Sequence, residues 1–361
     1  MNKSLHFAVV ILNWNGLAHL RRYLPSVLAT DFDGWDCVLV DNASSDDSVS
    51  WVRSYAGDQV RIIQLNKNEG YTGGYMEGLK NVKADVYVLL NSDVEVSSDW
   101  LIHLNSFMLL HPDLAAVQPK ILSDRDRNKF EYAGACGGVV DGLGYPFCAG
   151  RIFTDLEADY GQYDEPRDVF WVSGACMAVK AKDFWECGGL DTQYFAHMEE
   201  IDLCWRLQRS GHKLMTCPQS VVYHWGGGSL SYGSPRKTYL NFRNSLFTIT
   251  KNLAPGEWLL RVWSRLWLDG LAAAYFLSRG SVGDFAAVMK AHWAFFAALP
   301  RLMRIRREST LPWIPLQQLR GVWPGRIWPY LGIGDARRRQ MTLQIRAFIE
   351  SLVLKSPQKP G

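Results

Sequence analysis

The sequence predicts an α/β fold in which an open, twisted sheet is flanked by helices and followed by a helical C-terminal extension. The first observation is that short apolar runs rich in β-branched residues alternate with helical patterns over the first hundred residues. Strands are predicted at 8–12, 36–40, 60–65 and 86–90, and helices at 17–28, 46–55, 75–82 and 98–110. This alternation is typical of parallel strands that are joined by right-handed crossovers and covered on both faces.

The second observation is that the chain changes character after these elements. Glycines and aromatic residues crowd segment 132–170, which predicts hairpins and loops that line a cleft. A strand at 170–179, a helix at 198–209 and a strand at 221–223 follow, and the pattern becomes helical and aromatic from about residue 255. We therefore predict a main domain at 1–250 and a helical, basic and aromatic extension at 251–361.

Charge is distributed unevenly between these two parts. The net charge is +3, yet residues 251–361 hold 17 Lys and Arg against 6 Asp and Glu. Aromatic residues followed by arginines at 301–307 are typical of a helix that lies on an anionic membrane surface, and we expect that partner rather than nucleic acid. The simpler alternative, a helical appendage that packs its aromatic residues against the main domain, stays open. The acidic main domain suits a site for a divalent cation.

Cysteine usage and hydropathy indicate the compartment. Seven scattered cysteines without a Cys-x-x-Cys pair predict reduced thiols in a cytosolic protein without a zinc site. The apolar run at 7–12 is too short for a signal peptide, and the longest low-charge stretch, 271–277, is far below the roughly 20 residues of a membrane span. We expect a cytoplasmic protein that binds peripherally to the inner face of the cell membrane.

Polar residues follow each of the four predicted parallel strands. In open α/β sheets the ligand lies beyond the carboxyl ends of the strands, so these residues are candidates for ligand binding. A glycine-rich turn after the third strand offers backbone N–H groups to an anion or a nucleotide, but it is neither the dinucleotide fingerprint nor a P-loop. The candidates are Asn13, Asn15, Asp41, Asn68, Gly70, Gly73, Gly74, Asn91 and Ser92.

Two residues are candidates for holding a metal ion. Asp93 follows the fourth strand, and one carboxylate of this kind, with diphosphate oxygens and waters, is a common way to hold Mg²⁺ or Mn²⁺. His224 ends the strand at 221–223 and is available as a second ligand. Taken alone, a histidine after a strand is more often structural.

Three acidic residues, Glu199, Glu200 and Asp202, crowd the predicted start of a helix. Like charges this close raise the pKa of at least one carboxyl, which suits a catalytic base. Acids in the first turn are also favoured by the helix dipole, and Arg206 follows on the same face. Both interpretations stay open from the residues alone.

In combination these segments resemble the inverting glycosyltransferases of family 2, which have the Rossmann-like GT-A fold. The resemblance covers roughly residues 7–250, and six motifs occur in the family's order. They are Val10-Ile11-Leu12-Asn13-Trp14-Asn15-Gly16, Val40-Asp41-Asn42-Ala43-Ser44, Asn68-Glu69-Gly70-Tyr71-Thr72-Gly73-Gly74, Leu90-Asn91-Ser92-Asp93, Glu199-Glu200-Ile201-Asp202-Leu203 and Tyr223-His224. The rhamnosyltransferase-like branch, which builds surface polysaccharides, also carries a segment like Tyr239-Leu240-Asn241-Phe242-Arg243-Asn244.

The resemblance implies a role for several residues. Asp41 corresponds to the nucleoside-binding aspartate, and Asp93 to the last residue of a degenerate Asp-x-Asp that contacts the metal, with Asn91 in place of the first aspartate. Glu200 stands where the family has the base that deprotonates the acceptor hydroxyl, while Glu199 remains its rival. The implied donor is a UDP-, dTDP- or GDP-linked sugar, the acceptor a saccharide or a polyprenyl-linked saccharide, and the cofactor Mg²⁺ or Mn²⁺.

Two rival functions share parts of this pattern. A nucleotidyltransferase has a similar sheet and metal, but it would carry a basic glycine-rich loop after the first strand, where this chain has Asn13-Trp14-Asn15-Gly16. A non-catalytic scaffold that binds membrane or polysaccharide would keep the fold without needing the acids. Release of nucleoside diphosphate from a donor separates an enzyme from such a scaffold.

Overall fold

In a computed structural model, the chain is described over residues 4–132, 134–152, 155–226, 234–327 and 335–353. The strands are β1 (Phe7–Asn13), β2 (Trp35–Asp41), β3 (Val60–Gln64), β4 (Val86–Asn91), β5 (Val94–Val96), β6 (Leu114–Ser123), β7 (Gly138–Asp141), β8 (Pro146–Cys148), β9 (Arg151–Ile152), β10 (Asp155–Leu156), β11 (Cys176–Lys180), β12 (Lys213–His224) and β13 (Val322–Trp323). The α-helices are α1 (Leu17–Leu28), α2 (Ser48–Ala56), α3 (Gly70–Leu79), α4 (Trp100–Leu110), α5 (Ala181–Glu186), α6 (Glu199–Arg209), α7 (Pro235–Asn252), α8 (Trp258–Ser278), α9 (Val282–Glu308) and α10 (Asp335–Ser351).

An eight-stranded mixed sheet in the order β3-β2-β1-β4-β11-β6-β12-β5 forms the centre of the molecule. The first four strands are parallel, and the register places Asn13 beside Asp41 and Leu12 beside Asn91. Alternate residues along these strands point into two hydrophobic clusters, one on each face of the sheet. The carboxyl ends of β1, β2 and β4 therefore meet at one edge, which is where the sequence predicts the ligand.

The predicted α/β architecture is confirmed, with differences in its second half. The four parallel strands and helix α1 lie where the sequence predicts them. The sheet continues, however, through β11, which is antiparallel to both of its neighbours, so the whole sheet is mixed. Strands β5 and β6 were missed, and the strand predicted at 170–179 is shorter, because only Cys176–Lys180 pairs with β4. The strand predicted at 221–223 is the end of the longer β12.

Segment 132–170 forms hairpins within its described residues, as predicted. Strands β7 to β10 build a second, five-stranded sheet whose last member, β13, comes from the C-terminal region. Helix α7 runs through the boundary predicted at residue 250. Residues of α9, α10 and β13 share a hydrophobic cluster with the main sheet. The described part of the extension is therefore integrated into the core.

Within the described residues, the helices lack any stretch long and apolar enough to cross a bilayer. All seven cysteines are buried and unpaired.

Candidate functional site

The ends of β1 and β2 are joined by a network of short polar side chains. The amide nitrogen of Asn13 lies 3.0 Å from Asp41 Oδ1, and the backbone N–H of Ser44 donates to Asp41 Oδ2 at 3.1 Å. The same Asn13 nitrogen also lies 2.9 Å from the hydroxyl of Ser48. Asp41 is buried, and both of its oxygens are engaged. The structure thus places Asp41 behind the strand ends, where it fixes the loop that follows β2.

The loop after β1 presents an aromatic ring at this edge. Asn15 adopts a left-handed conformation with a φ of 51°, and its side-chain oxygen accepts a hydrogen bond from the backbone N–H of Ser45 at 2.7 Å. This turn leaves the indole of Trp14 half exposed, between Asn13 and Asn15. A Cβ atom at Gly16 would lie 3.6 Å from the hydroxyl of Ser92, so the loop after β4 lies close to the same turn. Asn13, Asn15, Asp41 and Ser92 therefore come together as the sequence predicts.

The glycine-rich segment after β3 is the first part of helix α3 rather than a turn that precedes it. Asn68 accepts a hydrogen bond from the N–H of Gly70 at 2.8 Å, and Asn42 donates to Asn68 at 3.1 Å. The N–H groups of Tyr71 and Thr72 donate to the carbonyl of Phe195 at 2.7 and 3.2 Å. The expectation that these backbone groups are available to an anion is therefore wrong for Gly70, Tyr71 and Thr72, whose N–H groups are occupied.

Three glycines of this segment are required by close packing. Gly70 has a φ of +73°, and a Cβ atom there would lie 2.5 Å from the ring of Phe195. Added Cβ atoms at Gly73 and Gly74 would lie 2.6 Å from Glu69 and Leu12, respectively. These glycines bring α3 against the sheet and against the loop before α6.

A buried charged cluster lies at the ends of β4 and β12. Nε2 of His224 is 3.1 Å from Asp93 Oδ1, and Nδ1 is 3.2 Å from Glu131 Oε2. Burial alone would lower the pKa of His224, but the charges of Asp93 and Glu131 raise it to about 10. His224 in turn holds the pKa of Asp93 below its ordinary value, against the effect of burial. The side-chain nitrogen of Asn91 lies 3.5 Å from His224, so the two metal candidates and Asn91 are brought together.

The donor set of this cluster fits Mg²⁺ or Mn²⁺ only with help from a ligand. Asp93 and Asn91 supply oxygen atoms, and His224 supplies an imidazole that Mn²⁺ accepts once its proton has left. The described residues contain no group of three or more His, Cys, Asp or Glu side chains arranged to hold a metal. A metal here would therefore need oxygens from a bound diphosphate to complete its shell.

The two glutamates open helix α6 from a loop with unusual backbone conformations. Phe195, His197 and Met198 all have φ values between 64° and 72°, a region that costs side-chain-bearing residues energy and that clusters at functional sites. Oε2 of Glu199 and Oε2 of Glu200 are both buried without a hydrogen-bond partner. The loop thus holds two carboxyl groups in a poorly solvated place.

Burial sets the protonation of this pair. It raises the pKa of Glu200 to about 7. Burial and the charge of Glu200 together raise the pKa of Glu199 well above its ordinary range. Burial and the charge of Lys237 lower the pKa of His197 to about 4, so this ring is neutral near pH 7 and does not stabilise a negative charge on the pair. The pair therefore carries at most about one negative charge near pH 7.

Asp202 has a different environment, although it lies only one helical turn away. It is fully buried, and it pairs with Arg206 at 2.8 Å and Lys251 at 3.0 Å. Asn252 donates to its other oxygen at 2.8 Å. These cations outweigh burial and hold the pKa of Asp202 well below its usual range. A catalytic role predicted for Asp202 does not fit this geometry, because both oxygens are consumed in joining α6 to α7.

Helix α7 fixes the loop before α6 through residues of segment 239–244, which resembles a segment of the rhamnosyltransferase-like branch. The side-chain nitrogen of Asn244 lies 3.0, 2.8 and 2.8 Å from the backbone carbonyls of Tyr194, Ala196 and His197. Arg243 donates to the carbonyl of Tyr194 at 2.9 Å. These contacts fix the backbone immediately before the two glutamates.

Tyr71 lies between the loop that precedes the two glutamates and the strand ends. Its hydroxyl donates to the carbonyl of Gly174 at 2.7 Å, and the next residue, Ala175, accepts a hydrogen bond from the N–H of Asn91 at 3.0 Å. Burial raises the pKa of Tyr71 well above its ordinary value, and negative charge on Glu199 and Glu200 adds to this effect. Tyr71 thus lies between the loop that precedes α6 and the end of β4.

Sequence reasoning missed several residues of this site. Glu131 lies just before the hairpin segment 132–170, far along the chain from both Asp93 and His224, and no local pattern marks it. Asn244 lies in the motif at 239–244, so the sequence does single out this segment. Its hydrogen bonds to the loop before α6 follow only from the packing of α7 against that loop. Trp14 is also marked in the sequence, as an aromatic residue placed at a strand end among polar ones.

Comparisons with known proteins agree with this arrangement. Residues 8–186 match the family model described as Glycosyl transferase family 2. The chain is 23% identical over 244 residues to the low-salt glycan biosynthesis hexosyltransferase Agl10 of Haloferax volcanii. This match covers 66% of this chain and 73% of the relative. It is also 25% identical over 233 residues to an N-acetylglucosaminyl-diphospho-decaprenol L-rhamnosyltransferase of Mycobacterium tuberculosis. That match covers 60% of this chain and 75% of the relative.

Solved structures share the fold at low sequence identity. GalNAc-T7 with UDP, GalNAc and Mn²⁺ superposes with a TM-score of 0.53 at 18% identity, over 70% of this chain and about half (49%) of that one. The mannosyltransferase PcManGT of Pyrobaculum calidifontis, in complex with GDP-Man and Mn²⁺, superposes with a TM-score of 0.50 at 15% identity. The match covers 97% of this chain and 87% of that one. The predicted GT-A fold is thereby confirmed. Residues 8–186 thus form a family 2 glycosyltransferase domain, and the chain is a glycosyltransferase.

Proposed function

We propose that this glycosyltransferase moves a sugar from a nucleoside diphosphate sugar to a hydroxyl group, with inversion at the anomeric carbon and with Mg²⁺ or Mn²⁺ bound. The acceptor is a saccharide or a polyprenyl-linked saccharide in the synthesis of a cell-surface polysaccharide. UDP, dTDP and GDP remain open as the nucleotide of the donor. The mycobacterial relative is an N-acetylglucosaminyl-diphospho-decaprenol L-rhamnosyltransferase, which supports a lipid-linked acceptor here.

The environment of Glu200 carries this proposal. Glu200 is the less buried residue of the pair, its buried Oε2 lacks a hydrogen-bond partner, and burial raises its pKa to about 7. A general base works best when its pKa lies near the operating pH. Glu199 is more deeply buried and holds its proton more tightly, so it is the weaker candidate. Glu200 would take the proton of the acceptor hydroxyl as that oxygen attacks the anomeric carbon in a single displacement.

The strand ends provide the donor side of the site. Trp14 offers an exposed ring to a nucleobase, while Asn15 and Ser92 lie beside it with polar groups for the ribose and phosphates. Asp41 would act mainly by fixing this loop, because its oxygens already accept hydrogen bonds from Asn13 and Ser44. Gly73 and Gly74 support the same region by letting α3 pack closely.

Asp93, His224 and Asn91 would hold the metal together with the diphosphate of the donor. When bound, such an ion neutralises the charge that develops on the leaving diphosphate. The Mn²⁺ ions in the GalNAc-T7 and PcManGT structures support divalent metal use by this fold. We expect transfer to cease in excess EDTA and to return when Mn²⁺ or Mg²⁺ is added back. Full activity in EDTA would contradict the metal dependence.

The donor is identified first by thermal shift with UDP-, dTDP- and GDP-linked sugars in the presence of Mn²⁺ or Mg²⁺. The donor that raises the melting temperature is then used in a transfer assay with saccharide acceptors, and the anomeric configuration of the product is read by NMR. An inverted linkage supports the single displacement, whereas a retained linkage contradicts it. Release of pyrophosphate from a nucleoside triphosphate would favour a nucleotidyltransferase, and absence of donor turnover would favour a scaffold.

A further inference from the structure

Helix α8 turns its large apolar side chains toward solvent. At a spacing of three or four residues, one side of this helix carries Leu260, Trp263, Trp267 and Leu271, all of them exposed. The exposed fraction is 75% for Leu260 and 71% for Trp267. A helix on the surface of a globular protein normally presents its polar face to water. The outer face of α8 is therefore built for contact with something other than water.

The inner face of α8 carries buried charges in place of these apolar residues. Arg265 is buried, its side chain donates to the carbonyls of Leu143 and Gly144 at 3.4 and 3.3 Å, and it stacks 3.5 Å from the centre of the Tyr145 ring. Asp269 is buried one turn later, 3.5 Å from the hydroxyl of Tyr145. These contacts fix the rotation of α8, so its outward tryptophans are a property of the folded protein.

Helix α9 extends the same kind of surface. Its buried side includes Val288, Ala291 and Phe295, whereas Trp293 and Phe296 point outward, with 77% of Trp293 exposed. His292 lies 3.6 Å from Asp269, which places Trp293 and Trp267 at the same level of the α8–α9 hairpin. The exposed apolar residues of the two helices form what we call the tryptophan face: Leu260, Trp263, Trp267, Leu271, Trp293 and Phe296.

The charges around the tryptophan face are mostly positive. Between Trp258 and Arg307 the chain has only two acidic residues, both partly or fully buried, and Glu308, which follows Arg307, is an exposed acid. Asp269 is buried, and Asp284 accepts hydrogen bonds from Thr238 and Ser281, both at 2.6 Å. Exposed cations rim the face at Arg279, Lys290, Arg304 and Arg307. An apolar centre with a cationic rim is complementary to a lipid surface with anionic headgroups.

We propose that the tryptophan face binds the surface of an anionic bilayer, with α8 and α9 lying in the plane of the membrane. Indole rings prefer the boundary between headgroups and acyl chains, and arginines pair with the headgroup phosphates. A protein partner or a second copy of this chain would also cover apolar side chains. The excess of cations over acids at the rim favours anionic lipid over a second copy, because two such rims would repel each other.

The test uses the full chain and vesicles, without sugar donor or acceptor, so it is independent of the proposed reaction. Sedimentation is measured with phosphatidylcholine vesicles that either contain or lack phosphatidylglycerol. We expect binding only when the anionic lipid is present, and a decrease with added salt. Lipids brominated near the headgroup end of their acyl chains should quench the fluorescence of the bound wild type, because interfacial helices insert only about 5–10 Å.

Two pairs of substitutions separate the apolar and charged contributions. Trp267→Gln with Trp293→Gln should lower vesicle affinity at least about tenfold, since each indole removes more than about 100 Å² of apolar surface from water. Arg304→Gln with Arg307→Gln should lower it about 25-fold, at about fivefold per arginine near an anionic surface. The matched control is Leu110→Gln with Tyr160→Ser, which replaces exposed apolar residues outside α8 and α9 and should bind like the wild type.

Thermal unfolding of each variant shows whether its fold is retained. The proposal is overturned if the folded wild type ignores anionic vesicles at low salt, or if the control pair loses as much affinity as the tryptophan pair. It is also overturned if the wild type is a stable dimer that the tryptophan pair converts to a monomer while vesicle binding is absent. That last result would assign the face to a second copy of the chain.

Discussion

Replacing Glu200 with glutamine should abolish transfer while making the folded protein more stable above pH 7. The substitution keeps the shape of the side chain and removes its ionisation. A lost general base typically costs about 10²- to 10⁴-fold in turnover. In the wild type, we expect kcat/KM to fall as the pH drops below about 7, where Glu200 becomes protonated. The residual activity of the variant should not show this fall in kcat/KM below about pH 7.

The gain in stability follows from the same buried carboxyl. In the unfolded chain it releases its proton near pH 4.5, whereas in the folded protein burial delays release until about pH 7. Between these two pH values the unfolded state loses its proton first, so the free energy of unfolding falls as the pH rises. The total penalty reaches about 3 kcal/mol at pH 8. Glu200→Gln removes the penalty, so the variant should exceed the wild type at pH 8 and match it near pH 4.

The assay is urea unfolding at pH 4 and pH 8, run alongside the transfer reaction. Glu165→Gln is the matched control, because it makes the same chemical change at an exposed side chain. The control should leave both turnover and the pH dependence of stability unchanged. Near-normal turnover in Glu200→Gln would remove this residue as the base. Lost turnover without a gain in stability at pH 8 would refute the argument from burial.

Three further substitutions test how the site is held. Asn244→Ala releases three carbonyls of the loop before the glutamates, and we expect kcat to fall about 100-fold with the donor KM unchanged, as measured by steady-state kinetics. Asp202→Asn removes one of the carboxylates that pair with the buried Lys251, so urea unfolding should show that the free energy of unfolding falls by about 3 kcal/mol. An unchanged unfolding midpoint would contradict a structural role for Asp202. Gly70→Ala forces a left-handed residue against the Phe195 ring, so unfolding should show at least about 1 kcal/mol of destabilisation, and wild-type stability would argue against this close contact.

The strand ends illustrate what local sequence patterns can predict. Apolar runs of four to six residues locate β1, β2, β3 and β4, and the parallel arrangement then brings Asn13, Asp41 and Asn91 to one edge without further information. Short strands outside this alternation were harder to locate. Strand β5 has only three residues and follows β4 after two others, so its pattern is too brief to stand out.

The acidic residues of α6 show the limit of such patterns. In the sequence, Glu199, Glu200 and Asp202 are three similar carboxylates in one helical turn. Their different properties arise from contacts with distant segments: Lys251 and Asn252 neutralise and hold Asp202, while the two glutamates receive no such partner on their buried Oε2 atoms. Sequence spacing carries no information about which of them meets a cation.

The sequence by itself determined the parallel half of the sheet, the polar strand ends and the family, because these depend on residue types at short spacing. Only the tertiary structure decided that Asp202 is a structural ion-pair partner, that Glu131 joins His224, and that the tryptophans of α8 face outward. The physical reason is that desolvation and charge pairing depend on which segments pack together. A pKa or an exposed face is therefore set by neighbours that lie far apart in the chain.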